Sequence, residues 1–184
     1  MPHQDKVVID NECFRDMIAK LGGTMFQIGD YAVCPGHGVG QIVDIEEREG
    51  CDFAFYMVKI IANGMKVMVP TNSELGIRTL IGSDDVSEVF TVLNNHDVEL
   101  DNSTWNRRYR DYMEKVKTGS LVEIAEVLRE LFLLKENKNL SFGEKKMLDQ
   151  CRELIAQEIS ISGGKDSVEV KTEINSCFPS SEAV

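Results

Sequence analysis

Histidine occurs three times in this chain, proline four times and tryptophan once, and basic residues are outnumbered 20 to 31 by acidic ones. With His3, His37 and His96 far apart, there is little material for acid–base or metal chemistry. Cys34 and His37 could touch one metal ion, but a zinc site needs further ligands at matching spacing, and none follows. The five cysteines, Cys13, Cys34, Cys51, Cys151 and Cys177, form no CxxC pair. An odd, scattered set excludes a disulfide framework and points to a reducing, cytoplasmic setting. No apolar run approaches a membrane span, and no basic-then-apolar signal opens the chain. The one glycine-rich stretch, GHGVG, lacks the spacing and the following helix of a phosphate-cradling loop. The chain is therefore expected not to be an enzyme, and catalytic residues, cofactor, metal site and small-molecule substrate are all expected to be absent.

What is present is organised by charge. The formal net charge is -11, but it is unevenly spread. Residues 25–104 carry four Lys/Arg against thirteen Asp/Glu, whereas residues 105–161 carry eleven against ten. A change of sign at a change of pattern predicts two modules with different partners.

Residues 1–24 hold one short apolar cluster, Met17, Ile18 and Leu21, ahead of Gly22-Gly23. They are expected to be either translated leader before a true start at Met25 or an authentic short helical arm. Residues 25–82 read as short strands. MFQIGDYAV and GVGQIVDIEE flank the turn CPGHG, FAFYMVKIIA and MKVMVP flank the hairpin signal Asn63-Gly64, and GIRTL offers one more strand. Strands this short and close predict a strongly bent antiparallel sheet or SH3-like barrel with an open edge. From Ser83, an expected cap, a short helix carries Val86, Val89, Phe90 and Leu93 on one face, and a polar linker runs to residue 104. Three helices follow over 105–161, the first capped by Ser103 or Thr104. Capping boxes at Ser120–Glu123 and Ser141–Glu144 open the other two. Residues 162–184 are Ser/Gly-rich and are expected to form a flexible tail. The fold class is thus α+β in two domains, a small barrel followed by a compact all-α module.

The single tryptophan stands in TWNRRYRDYMEKVKTGS, where residues 105–118 hold five Lys/Arg against two Asp/Glu. On a helix, Trp105, Tyr109, Tyr112, Met113 and Val116 share one side, with Arg107, Arg110 and Lys117 on another. Trp105 could simply begin the core stripe, and the arginines could form a solvated face. Alternatively, a large ring in a first turn projects past the bundle end and stacks on an unpaired base, while Arg107, Arg108, Arg110, Lys145 and Lys146 hold phosphates. The residues alone leave both readings open.

MFQIGDYAVCPGHGVGQIVDIE, VMVP, TWNRRYRDYMEKVKTGSLVEIAEVLREL and LSFGEKKMLDQCRELI together resemble CarD/CdnL-type bacterial transcription regulators over about residues 25–160. Specificity lies in the combination of PxHG, WxxRY and SxGEKxML. The resemblance implies a Tudor-like RNA-polymerase-interaction domain whose edge pairs with the polymerase β subunit, with Arg48, Val67 and Met68 at that contact. Met68 stands where some members have arginine. It also implies a helical domain that reaches promoter DNA at the upstream fork of the bubble, with Trp105 as a wedge and the five basic residues around it. The implied function is stabilisation of the open promoter complex; the alternative is a protein-only adaptor of RNA polymerase without DNA contact.

Overall fold

The computed structural model describes residues 26–48, 50–73, 76–101 and 103–178. The leader-or-arm reading of residues 1–24 lies outside them. Four strands, β1 (Tyr31–Cys34), β2 (Gly38–Glu47), β3 (Ala54–Ile60) and β4 (Lys66–Pro70), form an antiparallel meander in sequence order. Five helices follow: α1 (Ser83–Asn94), α2 (Trp105–Thr118), α3 (Leu121–Asn137), α4 (Phe142–Gly163) and α5 (Ser167–Ser176). The architecture is the expected two-part α+β arrangement. None of these helices is long and apolar enough to cross a membrane.

Period-two alternation builds the sheet. Tyr56, Val58 and Ile60 are buried in a small core with Phe26, Ala32, Cys34 and Ile42, and Ala54 is buried on the same face, while Phe55, Met57 and Lys59 face away. A register shift between Ile42 and Asp44 leaves Val43 as an extra residue in β2, which bends that strand. Burial pushes the Cys34 thiol up to about 11 and that of Cys151, in the helical core, to about 12, so both pack as apolar groups rather than nucleophiles. The expected GIRTL strand reduces to a single bridge, Arg78 to Val33, which brings the chain after β4 back to β1 and curls the sheet. The Asn63-Gly64 turn also differs from expectation. Only Gly64 has positive φ, and the Asn63 side chain instead accepts the Met65 N–H at 2.9 Å inside a longer loop.

Two helix-start expectations shift. The α1 N-cap is Gly82 rather than Ser83, and Thr104, at the α2 N-cap, makes no side-chain capping bond. Ser120 accepts the Glu123 N–H, and Ser141–Glu144 forms the full reciprocal box. α1 is no mere lead-in to a linker: Val89 and Leu93 are fully buried in the helical core.

The flexible-tail expectation for 162–184 is corrected over its described part. Gly164 ends α4 in a left-handed cap, Asp166 accepts the Val168 N–H at 2.7 Å, and α5 begins. Val170, Ile174 and Phe178, four residues apart, all enter the core, and Phe178 stacks on Phe132 with centroids 4.0 Å apart. Each such burial is worth roughly 1.5–3 kcal/mol, enough to hold a short helix that has low periodicity elsewhere.

One node joins sheet to helices. Arg78 bonds β1 through its backbone, donates Nη1 and Nη2 to the two carboxylate oxygens of Glu158 in α4 at 2.6 and 2.8 Å, and donates Nε to the Gly119 carbonyl at 2.9 Å. The Ile81 N–H completes the Glu158 shell at 3.0 Å. Beside it, the Gln157 side chain accepts the Val39 N–H, and Gly38 (φ +89) presses so closely that a Cβ there would meet Gln157 Oε1 at 2.6 Å. The CPGHG turn thus serves as the docking face of the sheet on α4. Because Glu158 is only 2% exposed, Arg78→Ala strands a buried carboxylate, and we expect a loss of about 3–5 kcal/mol in urea denaturation. Sheet and helices should then also unfold at separate midpoints by aromatic fluorescence and circular dichroism.

Candidate nucleic-acid interface

α2 and α4 start side by side, and that juxtaposition creates the site. Trp105 opens α2 and is partly buried; its ring lies against Gly143 in the first turn of α4, where an added Cβ would approach Nε1, Cε2 and Cζ2 to 3.0–3.1 Å. A glycine there lets the indole lie this close, and any Cβ would press on the ring. Tyr109 and Tyr112 flank the indole at centroid distances of 5.4 and 6.4 Å. Tyr112 is buried and part of the core, while Tyr109 remains 44% exposed. Burial first, then the Glu130 carboxylate, raises the Tyr112 hydroxyl above its usual range against the opposing pull of Arg108.

The sequence grouped three arginines, and the structure separates them. Arg107 and Arg110 are exposed. Arg108 is buried, donates Nη2 to Glu144 Oε1 at 2.6 Å, and sits 6.0 Å from the Trp105 ring centre. This corrects its assignment to the phosphate-holding group: helical spacing turns residue 108 inward, onto the face shared with Tyr112. Its guanidinium holds α2 against α4 and backs the indole. Lys145 and Lys146 are exposed on the first turns of α4. Of the five basic residues, Arg107 and Arg110 on α2 and Lys145 and Lys146 on α4 are therefore the exposed ones, on the two helices that begin at the partly exposed indole.

Sequence reasoning missed Phe142. It occupies the first position of α4, directly before the glycine under Trp105, and is 85% exposed. The available signal was Phe142 standing at i−3 and i−4 from Lys145 and Lys146, opposite the buried Glu144 and Met147.

At the sheet end, β4 is an edge strand, hydrogen-bonded to β3 alone in the strand order. Its side chains divide. Val67 packs against the sheet core, whereas Met68, paired with Met57, points outward and is 38% exposed. Arg48 is exposed, with its guanidinium 5.2 Å from the centre of the Phe55 ring on that same outer face. Arg48, Phe55, Met57 and Met68 thus share one surface, while the Val67 side chain is half-buried on the opposite face. Among the described residues, no group of three or more His, Cys, Asp or Glu could hold a metal ion.

An open-edged antiparallel sheet, locked to a helical bundle that carries aromatics and cations at its far end, defines a two-module binding protein. Comparison with known proteins gives the family. Residues 26–81 match the model described as CarD-like/TRCF RID domain, and residues 88–175 match that described as CarD, C-terminal domain. A protein of Bacillus subtilis (strain 168) named "Putative transcription factor YdeB" is 33% identical over 155 residues, covering 80% of this chain and 99% of the relative. The chain belongs to the CarD family of transcription regulators. The second match extends to Asn175, so all of the tail helix but its last residue lies inside the family's domain.

Glu144 ties the site to pH. Burial pushes its carboxyl up, but the Ser141 N–H and the Lys138 and Arg108 cations pull harder and bring it down to about 2. A depressed carboxylate contributes stability above its unfolded pKa of about 4.3, and that stability is lost as pH falls through the folded value. Unfolding free energy should therefore fall by on the order of 2–3 kcal/mol between about pH 5 and pH 2 through this group. Glu144→Gln should be less stable at pH 7 and flatter across that window; identical pH slopes for the two proteins in denaturation titrations would refute the assignment.

Proposed function

We propose that this regulator binds RNA polymerase through its sheet module, on the β subunit, and holds promoter DNA open by placing Trp105 at the upstream edge of the bubble. The open edge of β4 supports the first half: free backbone N–H and C=O groups can accept a partner strand, with Arg48, Phe55 and Met68 outside it as side-chain contacts. The observation that carries the second half is the partly exposed indole seated on Gly143, at the start of two helices, α2 and α4, that carry the exposed cations Arg107, Arg110, Lys145 and Lys146. Aromatic rings so placed stabilise unstacked steps, and cations beside them hold the flanking phosphates. No bond is made or broken by the protein. It shifts an equilibrium by binding opened DNA more tightly than closed.

Four phosphate contacts on a chain of net charge -11 give weak binding in isolation. Affinity should fall with log salt at a slope near ~0.9 per contact. Docking on polymerase would supply the rest as effective concentration. The test uses full-length protein, polymerase and a promoter. Trp105→Ala should shorten open-complex lifetime by about 5–30-fold, the consequence of losing ~1–2 kcal/mol, while polymerase pull-down is unchanged. Arg48→Ala should weaken the pull-down itself. An unchanged lifetime for Trp105→Ala on a promoter where the native protein lengthens it would sink the wedge and leave a protein-only adaptor.

A further inference from the structure

Phe142 is the most exposed of the large apolar side chains among the described residues, at 85%, and it lies in no loop. It stands at the first position of α4, whose start is fixed by the Ser141–Glu144 capping box and by the Arg108 and Lys138 bonds to Glu144. The ring is thus presented on a rigid stem, at a cost in solvation that core packing does not repay. Its surroundings point to a ligand class. Lys145 and Lys146, three and four residues on, project from the same face and are both exposed, and on the other side Gly143 seats the Trp105 indole. Apolar protein partners favour a ring whose neighbours are depleted in lysine. A ring ringed by lysines fits an aromatic base with phosphates to either side.

We infer that Phe142 is a second stacking residue, which takes an unpaired base next to the step held by Trp105. This rests on the reading of Trp105 as a DNA contact and extends it. The two rings, fixed at the starts of adjoining helices, then act on neighbouring nucleotides, and Lys145 and Lys146 neutralise the phosphates of the strand that passes between them. The preference this creates is for a junction of duplex and single strand over either alone. Such a preference is what a factor acting at a bubble edge requires.

The experiment titrates full-length protein at low salt with a forked DNA, a duplex ending in two unpaired arms, and with the same duplex without arms. Fluorescence anisotropy of a dye on the DNA reports binding. Phe142→Ala should weaken fork binding about 5- to 100-fold, as expected for one lost base stack, with little change for the blunt duplex. Phe142→Trp should retain binding, and Phe142→Leu, which keeps bulk without a π face, should not. Because the side chain is solvent-exposed, all three should keep the native circular dichroism spectrum and melting point. If Phe142→Ala binds the fork as the native protein does while Trp105→Ala does not, the inference fails and the wedge stands. If neither substitution matters, both fail. If Phe142→Ala weakens polymerase pull-down and leaves the fork titration unmoved, the ring faces protein, and the inference is equally overturned.

Discussion

Everything in this molecule depends on a carboxylate buried inside a long helix. Glu158 is the 17th of the 22 residues of α4, nearly inaccessible, and receives both terminal nitrogens of Arg78 together with the Ile81 N–H. An ion pair of this kind contributes little net stability over an apolar pair of equal shape, because both groups surrender water. What it supplies is geometry. A fork-on-fork pair tolerates neither sliding nor rotation, and Arg78 is itself bonded through its backbone to β1. The sheet therefore meets the bundle in one orientation.

α4 carries that orientation to the other end of the protein. Fourteen residues before Glu158, the same helix holds Glu144, also buried, in bonds from Arg108 and Lys138. At 1.5 Å per residue the two buried acids are roughly 21 Å apart along a single rigid axis. One fixes the sheet, the other fixes the start of α2 and with it Trp105. The two ends of the molecule, an open strand edge and an aromatic cluster, are thus set at a constant separation by the Arg78–Glu158 and Arg108–Glu144 pairs. Glycines complete the fit where any Cβ would intrude, Gly38 against Gln157 and Gly143 against the indole.

Much of this was legible in the sequence, and what was not has a common cause. Local signals carried well: strand alternation, the Ser141–Glu144 box and the helical stripes around Leu128 and Ile155 depend on near neighbours, and they appear as expected. Failures arose where a residue's role is set by a distant partner. Arg108 was grouped with Arg107 and Arg110 although its four-residue spacing from Tyr112 puts it on the core face; what nothing nearby announces is its partner Glu144, thirty-six residues on. Arg78, in a segment read as strand, owes its importance to a residue eighty positions away. The tail was judged by its composition, although the four-residue spacing of Val170, Ile174 and Phe178 and the Gly164-then-Asp166 boundary were available. Phe142 was overlooked although its place beside Lys145 and Lys146 and opposite Met147 puts it off the core-facing stripe of α4.

The placement of charge makes sense of that rigidity. On the proposed reading, a chain of net charge -11 is repelled by DNA at a distance, so Arg107, Arg110, Lys145 and Lys146 cannot recruit it to promoters unaided. Acidity then acts as a filter: the cations count only when another attachment has brought them close, inside the roughly 8 Å over which charges are felt at physiological salt. A flexible joint between sheet and bundle would dilute that advantage, because effective concentration falls as the tethered group explores more volume. A fixed joint concentrates it at one place on the DNA, provided the geometry is right. The Arg78–Glu158 pair, of little net value as a stabilising contact, then serves to convert an attachment to one partner into a defined position on another.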